Sequence, residues 1–119
     1  PTDFAFLSRF FERALRTDKE SSNAVVECLR RRVPIHFGGM SDPLQPIEEN
    51  GRLCLRTLEM LRDYDYPTIL STKSDLLLDK NYLRVLREMR IAVQVSLITS
   101  NHKIAKRLEP CVPGVRRRN

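Results

Sequence analysis

Apolar residues recur at helical spacing in several stretches of the chain. Leu7, Phe10, Phe11 and Ala14 fall at i, i+3, i+4, i+7 and predict a helix over 3–16. Thr17-Asp18-Lys19-Glu20 has the spacing of a capping box. It predicts a second helix over 20–32, with Val25, Cys28 and Leu29 as its apolar stripe. A third helix is predicted at about 48–63, with Cys54, Leu58 and Leu61 on one face. A fourth runs over about 79–89 through Tyr82, Val85, Leu86 and Met89. Between these lie three short β-prone runs at 33–37, 67–71 and 91–97. Pro34 suits the start of a strand and not its middle. Pro43 and Pro46 break the segment after the first run into turns. Ser100-Asn101 then caps a short helix through Leu108, with Ser100 and Asp75 reading as ordinary helix caps.

The order is two helices followed by three strand–helix units. Strands joined through helices favour a parallel sheet with right-handed crossovers. The strands are short and mostly apolar, which predicts cover on both faces. His36, alone in such a strand, reads as a satisfied core residue, and Cys28 and Cys54 read as core on helix faces. The expected organisation is one α/β domain: a helical lead-in at 1–32, three β–α units at 33–109 and a basic tail at 110–119.

Composition narrows the function classes. The chain has 119 residues, 41% of them hydrophobic and 30% charged, enough to bury a core. No apolar run approaches the roughly 20 residues that cross a bilayer. No signal-peptide pattern opens at Pro1-Thr2-Asp3, so the expected compartment is the cytoplasm. Three cysteines, with no Cys-x-x-Cys pair, argue for a reducing compartment and against a self-contained metal ribbon. The net charge of +6 equals the contribution of two clusters, Arg30, Arg31, Arg32 and Arg116, Arg117, Arg118. Such clusters are candidate nucleic-acid contacts.

The polar residues converge where a parallel sheet binds ligands, at the carboxyl ends of its strands. The first strand ends in Gly38-Gly39-Met40-Ser41-Asp42, the second in Ser71-Thr72-Lys73-Ser74-Asp75 and the third in Ser96-Leu97-Ile98-Thr99-Ser100. Glycines let a ligand approach the backbone. Lys73 and Asp42, on neighbouring strands, have the charges to hold a zwitterion. No Ser–His–Asp order, phosphate loop, paired-histidine metal motif or GxGxxG is present, so neither a catalytic nor a metal-ligating residue is assigned.

The same residues carry a resemblance. His36 to Glu48 resembles the "sDpyQPiE" segment of radical S-adenosylmethionine proteins related to spore photoproduct lyase. Pro67 to Asp75 resembles that family's "vsivTKs" strand. Val93 to Leu97 resembles its "vsvSi" strand, and Leu108-Glu109-Pro110 with Pro113 and Arg117 resembles "LEPraPs..R". The match runs from about residue 33 to 117 in the family's order. It implies a parallel βαβαβα segment of a (β/α)6 partial TIM barrel. It also implies chemistry in which a 4Fe–4S cluster cleaves S-adenosylmethionine to a 5′-deoxyadenosyl radical, on a substrate left open and related at most to DNA lesions. Ser41, Lys73 and Ser96 match positions that contact S-adenosylmethionine, with Asp42, Gly38 and Gly39 beside them.

The sequence departs from the family where the cluster binds. Cys28, Cys54 and Cys111 do not match the Cys-x-x-x-Cys-x-x-Cys loop, and Gly39 stands where spore photoproduct lyases place a hydrogen-donating cysteine. The expectation is therefore a barrel fragment, inactive by itself, with S-adenosylmethionine and the cluster as cofactors of the parent enzyme. Open sheet edges should favour self-association. The alternative is a small basic nucleic-acid-binding or scaffold module.

Overall fold

The computed structural model describes residues 3–17 and 21–110. They form two compact units, one up to Pro34 and one from Ile35 onward. Among the described residues there are six helices and a three-stranded, all-parallel sheet, a mixed α/β structure. No helix among them is long and apolar enough to cross a membrane.

The first unit is a pair of packed helices, α1 (Phe4–Arg16) and α2 (Ala24–Arg30). Asp3 caps α1 by accepting the Phe6 N–H at 2.9 Å. Asn23 caps α2 through the Val25 and Val26 N–H groups, so α2 begins later than position 20. The expected capping box falls partly on 18–20, outside the described residues. At the other end Arg32 takes φ +55°. The Val33 N–H reaches the Cys28 carbonyl and the Arg32 N–H reaches Leu29, the two bonds of a Schellman motif. Phe11, Ala14 and Leu29 are buried. Val25 and Cys28 are not, contrary to the stripe read from the sequence: a seven-residue helix turns only Leu29 fully inward.

In the second unit, β1 (Ile35–Phe37), β2 (Thr68–Thr72) and β3 (Ile91–Val95) lie in sequential order. Ile35 pairs with Thr68, and Thr68 with Ile91. The connections carry α3 (Glu48–Gly51), α4 (Leu53–Asp63) and α5 (Lys80–Arg87); α6 (His102–Leu108) follows β3. The single helix expected over 48–63 is broken at Arg52, whose φ is +48°. The break has a function within the fold. It lets the buried Glu48 carboxylate turn back and accept the Leu55 N–H at 3.0 Å, closing the first turn of α4. The Tyr82 hydroxyl of α5 donates to the same oxygen. Burial first, then the facing Glu48 carboxylate, pushes the Tyr82 hydroxyl well above its ordinary range.

The core joins one face of the sheet to α4 and α5. Leu44, Cys54, Leu55, Leu58, Leu70, Tyr82 and Val85 are buried together, with Leu86 and Met89 packed against them. Burial, then the charges of Glu48 and Asp42, push the Cys54 thiol up to about 12, so it stays protonated as a small hydrophobe. Two expected caps shift by one residue. Ser74, not Asp75, caps the 3-10 turn Asp75–Leu78, and Asn101, not Ser100, caps α6.

Among the described residues the two faces of the sheet are unequally covered, unlike the cover on both faces expected from the sequence. In β2, Thr68, Leu70 and Thr72 are buried, whereas Ile69 and Ser71 are half-buried. His36, Ala92 and Gln94 share the register of Ile69 and Ser71, and all three are exposed. His36 is therefore a surface residue and not a core one. The physical reason is alternation: side chains of a strand point to opposite faces, and the polar His36, Ser71 and Gln94 all fall on the same one.

Candidate functional site

The three strands end at Phe37, Thr72 and Val95, and the residues just beyond them surround an open cleft of about 220 Å³. Gly38, Ser41, Asp42, Lys73 and Ser96, predicted from the strand ends, all line it. Gly39 does not. Met40, Ser71 and Thr72 line it as well. Ser71 and Thr72 were legible as strand-end residues, but their direction follows only from the register.

Several of these side chains hold the loops rather than face the cleft as unengaged groups. Gly38 adopts φ +96°, and a Cβ placed there would lie 2.0 Å from the Ser71 carbonyl oxygen. The glycine is needed so that the end of β1 can pass against β2. Gly39 has no such requirement: a Cβ would meet only His36 Nδ1 at 3.7 Å, an ordinary contact.

Asp42 is the centre of the local hydrogen bonding. Its Oδ1 accepts the Leu44 N–H at 2.9 Å and the Thr72 hydroxyl at 2.7 Å. Its Oδ2 accepts the Lys73 N–H at 2.6 Å. One carboxylate thus fastens the loop after β1 to the end of β2. Asp42 also lines the cleft, so this clamp stands beside the expected pairing of its carboxylate with a ligand ammonium. Three donors take up most of the half-buried carboxylate's accepting capacity.

The Lys73 ammonium pairs with Glu109, whose side chain is only 7% exposed. A lysine at a buried strand end needs such a partner. Glu109 lies just beyond α6, in the Leu108-Glu109-Pro110 motif noted in the sequence, but nothing in that motif pointed to Lys73 as its partner. The cleft is therefore lined by Ser41, Ser96, the tight turn at Gly38 and Lys73, whose ammonium is paired with Glu109 behind it.

Beside the cleft, on the less covered sheet face, Ser71 Oγ lies 2.8 Å from His36 Nε2 and donates to Gln94 Oε1 at 2.7 Å. This polar row takes one residue from each strand. Reading His36 in isolation missed it; the parity of polar positions across the three strands was the available signal.

Among the described residues no group of three or more His, Cys, Asp or Glu side chains is placed to hold a metal ion. A scan against protein-family models, a search of curated proteins and a search of solved structures each returned no match.

Proposed function

We propose that the strand-end cleft is one side of an S-adenosylmethionine site, and that the three parallel strands are a segment of a (β/α)6 partial barrel of the radical S-adenosylmethionine, spore photoproduct lyase-like type. The observation that carries the reading is the convergence of Gly38, Ser41, Lys73 and Ser96, from all three strand ends, on a single cleft. The motifs His36 to Glu48, Pro67 to Asp75 and Val93 to Leu97 supply the family resemblance. In this reading Lys73 holds the ligand's carboxylate, Ser41 and Ser96 offer hydroxyls to its polar groups, and the tight turn at Gly38 keeps the backbone close. Bound in an intact enzyme, S-adenosylmethionine supplies a radical precursor; this chain's residues bind and orient it.

The cluster does not fit the residues described. Cys28 is exposed on α2, in the first unit, and Cys54 is a protonated core thiol. A cluster needs thiolates converging on one point. No reaction step is therefore assigned to this chain, and catalysis requires a cysteine loop supplied from outside these residues.

Isothermal titration with S-adenosylmethionine tests the proposal. A half-open site should bind weakly, with Kd on the order of 1 mM, or about −4 kcal/mol. Lys73→Ala should abolish the heat signal, while Arg84→Ala, on the exposed side of α5, should leave it. Absence of binding at millimolar ligand, or equal binding by Lys73→Ala, refutes the reading.

A further inference from the structure

The outer face of α1 has features that neither the sheet nor the cleft uses. Asp3 and Thr17 cap this helix, and Phe11 and Ala14 face inward. Beside that buried face the spacing i, i+3, i+4, i+7 brings Phe6, Arg9, Phe10 and Arg13 onto an adjoining stripe, with the half-buried Phe10 at the border between the two. Phe6 is 58% exposed, and its ring lies nearly parallel to that of Phe10, with centroids 6.4 Å apart and 17° between planes. Arg9 and Arg13 are exposed, and no ion pair among the described residues engages either. Arg16 extends the stripe but is paired with Glu12 at 2.9 Å.

An aromatic pair flanked by available guanidinium groups matches single-stranded nucleic acid. Bases stack on aromatic faces and arginines neutralise the backbone between them. We infer that α1 binds single-stranded nucleic acid through Phe6 and Phe10, which stack on bases, and Arg9 and Arg13, which meet phosphates. The inference is independent of the cleft and of the proposed S-adenosylmethionine site. It also differs from the arginine clusters at 30–32 and 116–118.

A membrane surface is the rival occupant of a basic helix with exposed phenylalanine. It requires a broad apolar face lying in the interface. Here Phe11 and Ala14 are buried and Leu7 and Leu15 are half-buried, so the exposed apolar strip narrows to Phe6 and its neighbour Phe10. The charge and the narrow aromatic strip favour the nucleic acid. Nothing on the stripe is placed to read the sugar, so deoxyribose and ribose strands should bind alike.

Fluorescence anisotropy of the full chain with labelled dT20 and rU20 at several salt concentrations tests this. Both strands should bind within about threefold of each other. Phe6→Ala should weaken binding about tenfold with little change in salt dependence. The double variant Arg9→Ala, Arg13→Ala should reduce the slope of log K against log salt by about 1.4, at 0.7 per phosphate on single strands. All these positions are exposed, and unchanged far-ultraviolet circular dichroism would certify the fold. Absence of binding at low salt overturns the inference. So does binding that survives both sets of substitutions, which would assign it to the arginine clusters. Flotation with vesicles of anionic phosphatidylserine without oligonucleotide binding would overturn it in favour of a membrane.

Discussion

Substituting Asp42 separates a residue that shapes the cleft from one that binds in it. In the structure its carboxylate accepts three hydrogen bonds, from Leu44 N–H, the Thr72 hydroxyl and Lys73 N–H. Asp42→Asn retains one carbonyl oxygen, which keeps the first two. The new amide then faces the Lys73 N–H as donor against donor at a separation that was 2.6 Å. The loss is one bond to a charged acceptor plus the cost of an unsatisfied, partly buried N–H, together about 2–3 kcal/mol. Asp42→Ala removes both acceptor oxygens, with all three hydrogen bonds, and leaves the proton of the buried Thr72 hydroxyl without this acceptor, for about 3–4 kcal/mol. Urea unfolding measures both. All three tyrosines, Tyr64, Tyr66 and Tyr82, lie beyond Ile35, and tryptophan is absent, so tyrosine fluorescence reports the α/β unit alone. With m of about 2 kcal/mol/M, the midpoint should fall by about 1–1.5 M for Asn and about 1.5–2 M for Ala. An Asp42→Asn protein with an unshifted midpoint refutes the clamp. So does one that loses ligand binding at full stability, since Asp42 would then be acting on the ligand directly.

The two adjacent glycines should behave oppositely: Gly38→Ala forces a Cβ against the Ser71 carbonyl and should cost more than about 3 kcal/mol, while Gly39→Ala should stay within about 1 kcal/mol by thermal melting. Alkali should destabilise the second unit. The Cys54 thiol titrates near 9.0 when unfolded and about 12 when folded, so above pH 9 the unfolded chain releases a proton that the folded one keeps. Stability then falls by about 1.4 kcal/mol per pH unit from pH 9, and more steeply above pH 10, where the buried Tyr82 hydroxyl also keeps a proton that the unfolded chain loses; Cys54→Ala should flatten the slope between pH 9 and 10 in denaturant series at rising pH. Val93, Val95 and Leu97 are exposed on or beside β3, which has no strand beyond it among the described residues. Sedimentation should show the chain associating as concentration rises, and a monomer throughout would refute edge pairing.

Periodicity read the second unit well and the first less so. Tyr82 and Val85 sit where the i, i+3 pattern placed them because α5 packs along its whole length. Val25 and Cys28 failed because α2 is too short to bury three successive stripe positions. The break at Arg52 did have a local signal, the turn dipeptide Asn50-Gly51, which the apolar spacing of Cys54, Leu58 and Leu61 overrode in the reading; the contacts of Glu48 with Leu55 and Tyr82 then hold the turn. Gly38, Ser41, Asp42, Lys73 and Ser96 from the three predicted strand ends reach one cleft because the parallel topology brings those ends together, whereas Gly39 does not line it. Their roles were less legible. Residue type cannot show that Asp42 is engaged by Thr72 and Lys73, nor that Lys73 finds its partner 36 positions away.

That last pairing constrains what the cleft can accept. Gly38, Asp42 and Glu48, the most distinctive residues of the segment after β1, are all engaged in holding the fold. Recognition by charge therefore falls to Lys73, which is already paired with Glu109. A ligand carboxylate that draws Lys73 away from Glu109 competes with that ion pair, so part of the new attraction is offset by the one lost. Lys73 lines the cleft with 38% of its side chain accessible, so solvent screening keeps both effects modest. The proposed site thus rests on Lys73, with Asp42 as the clamp that keeps it at the strand end.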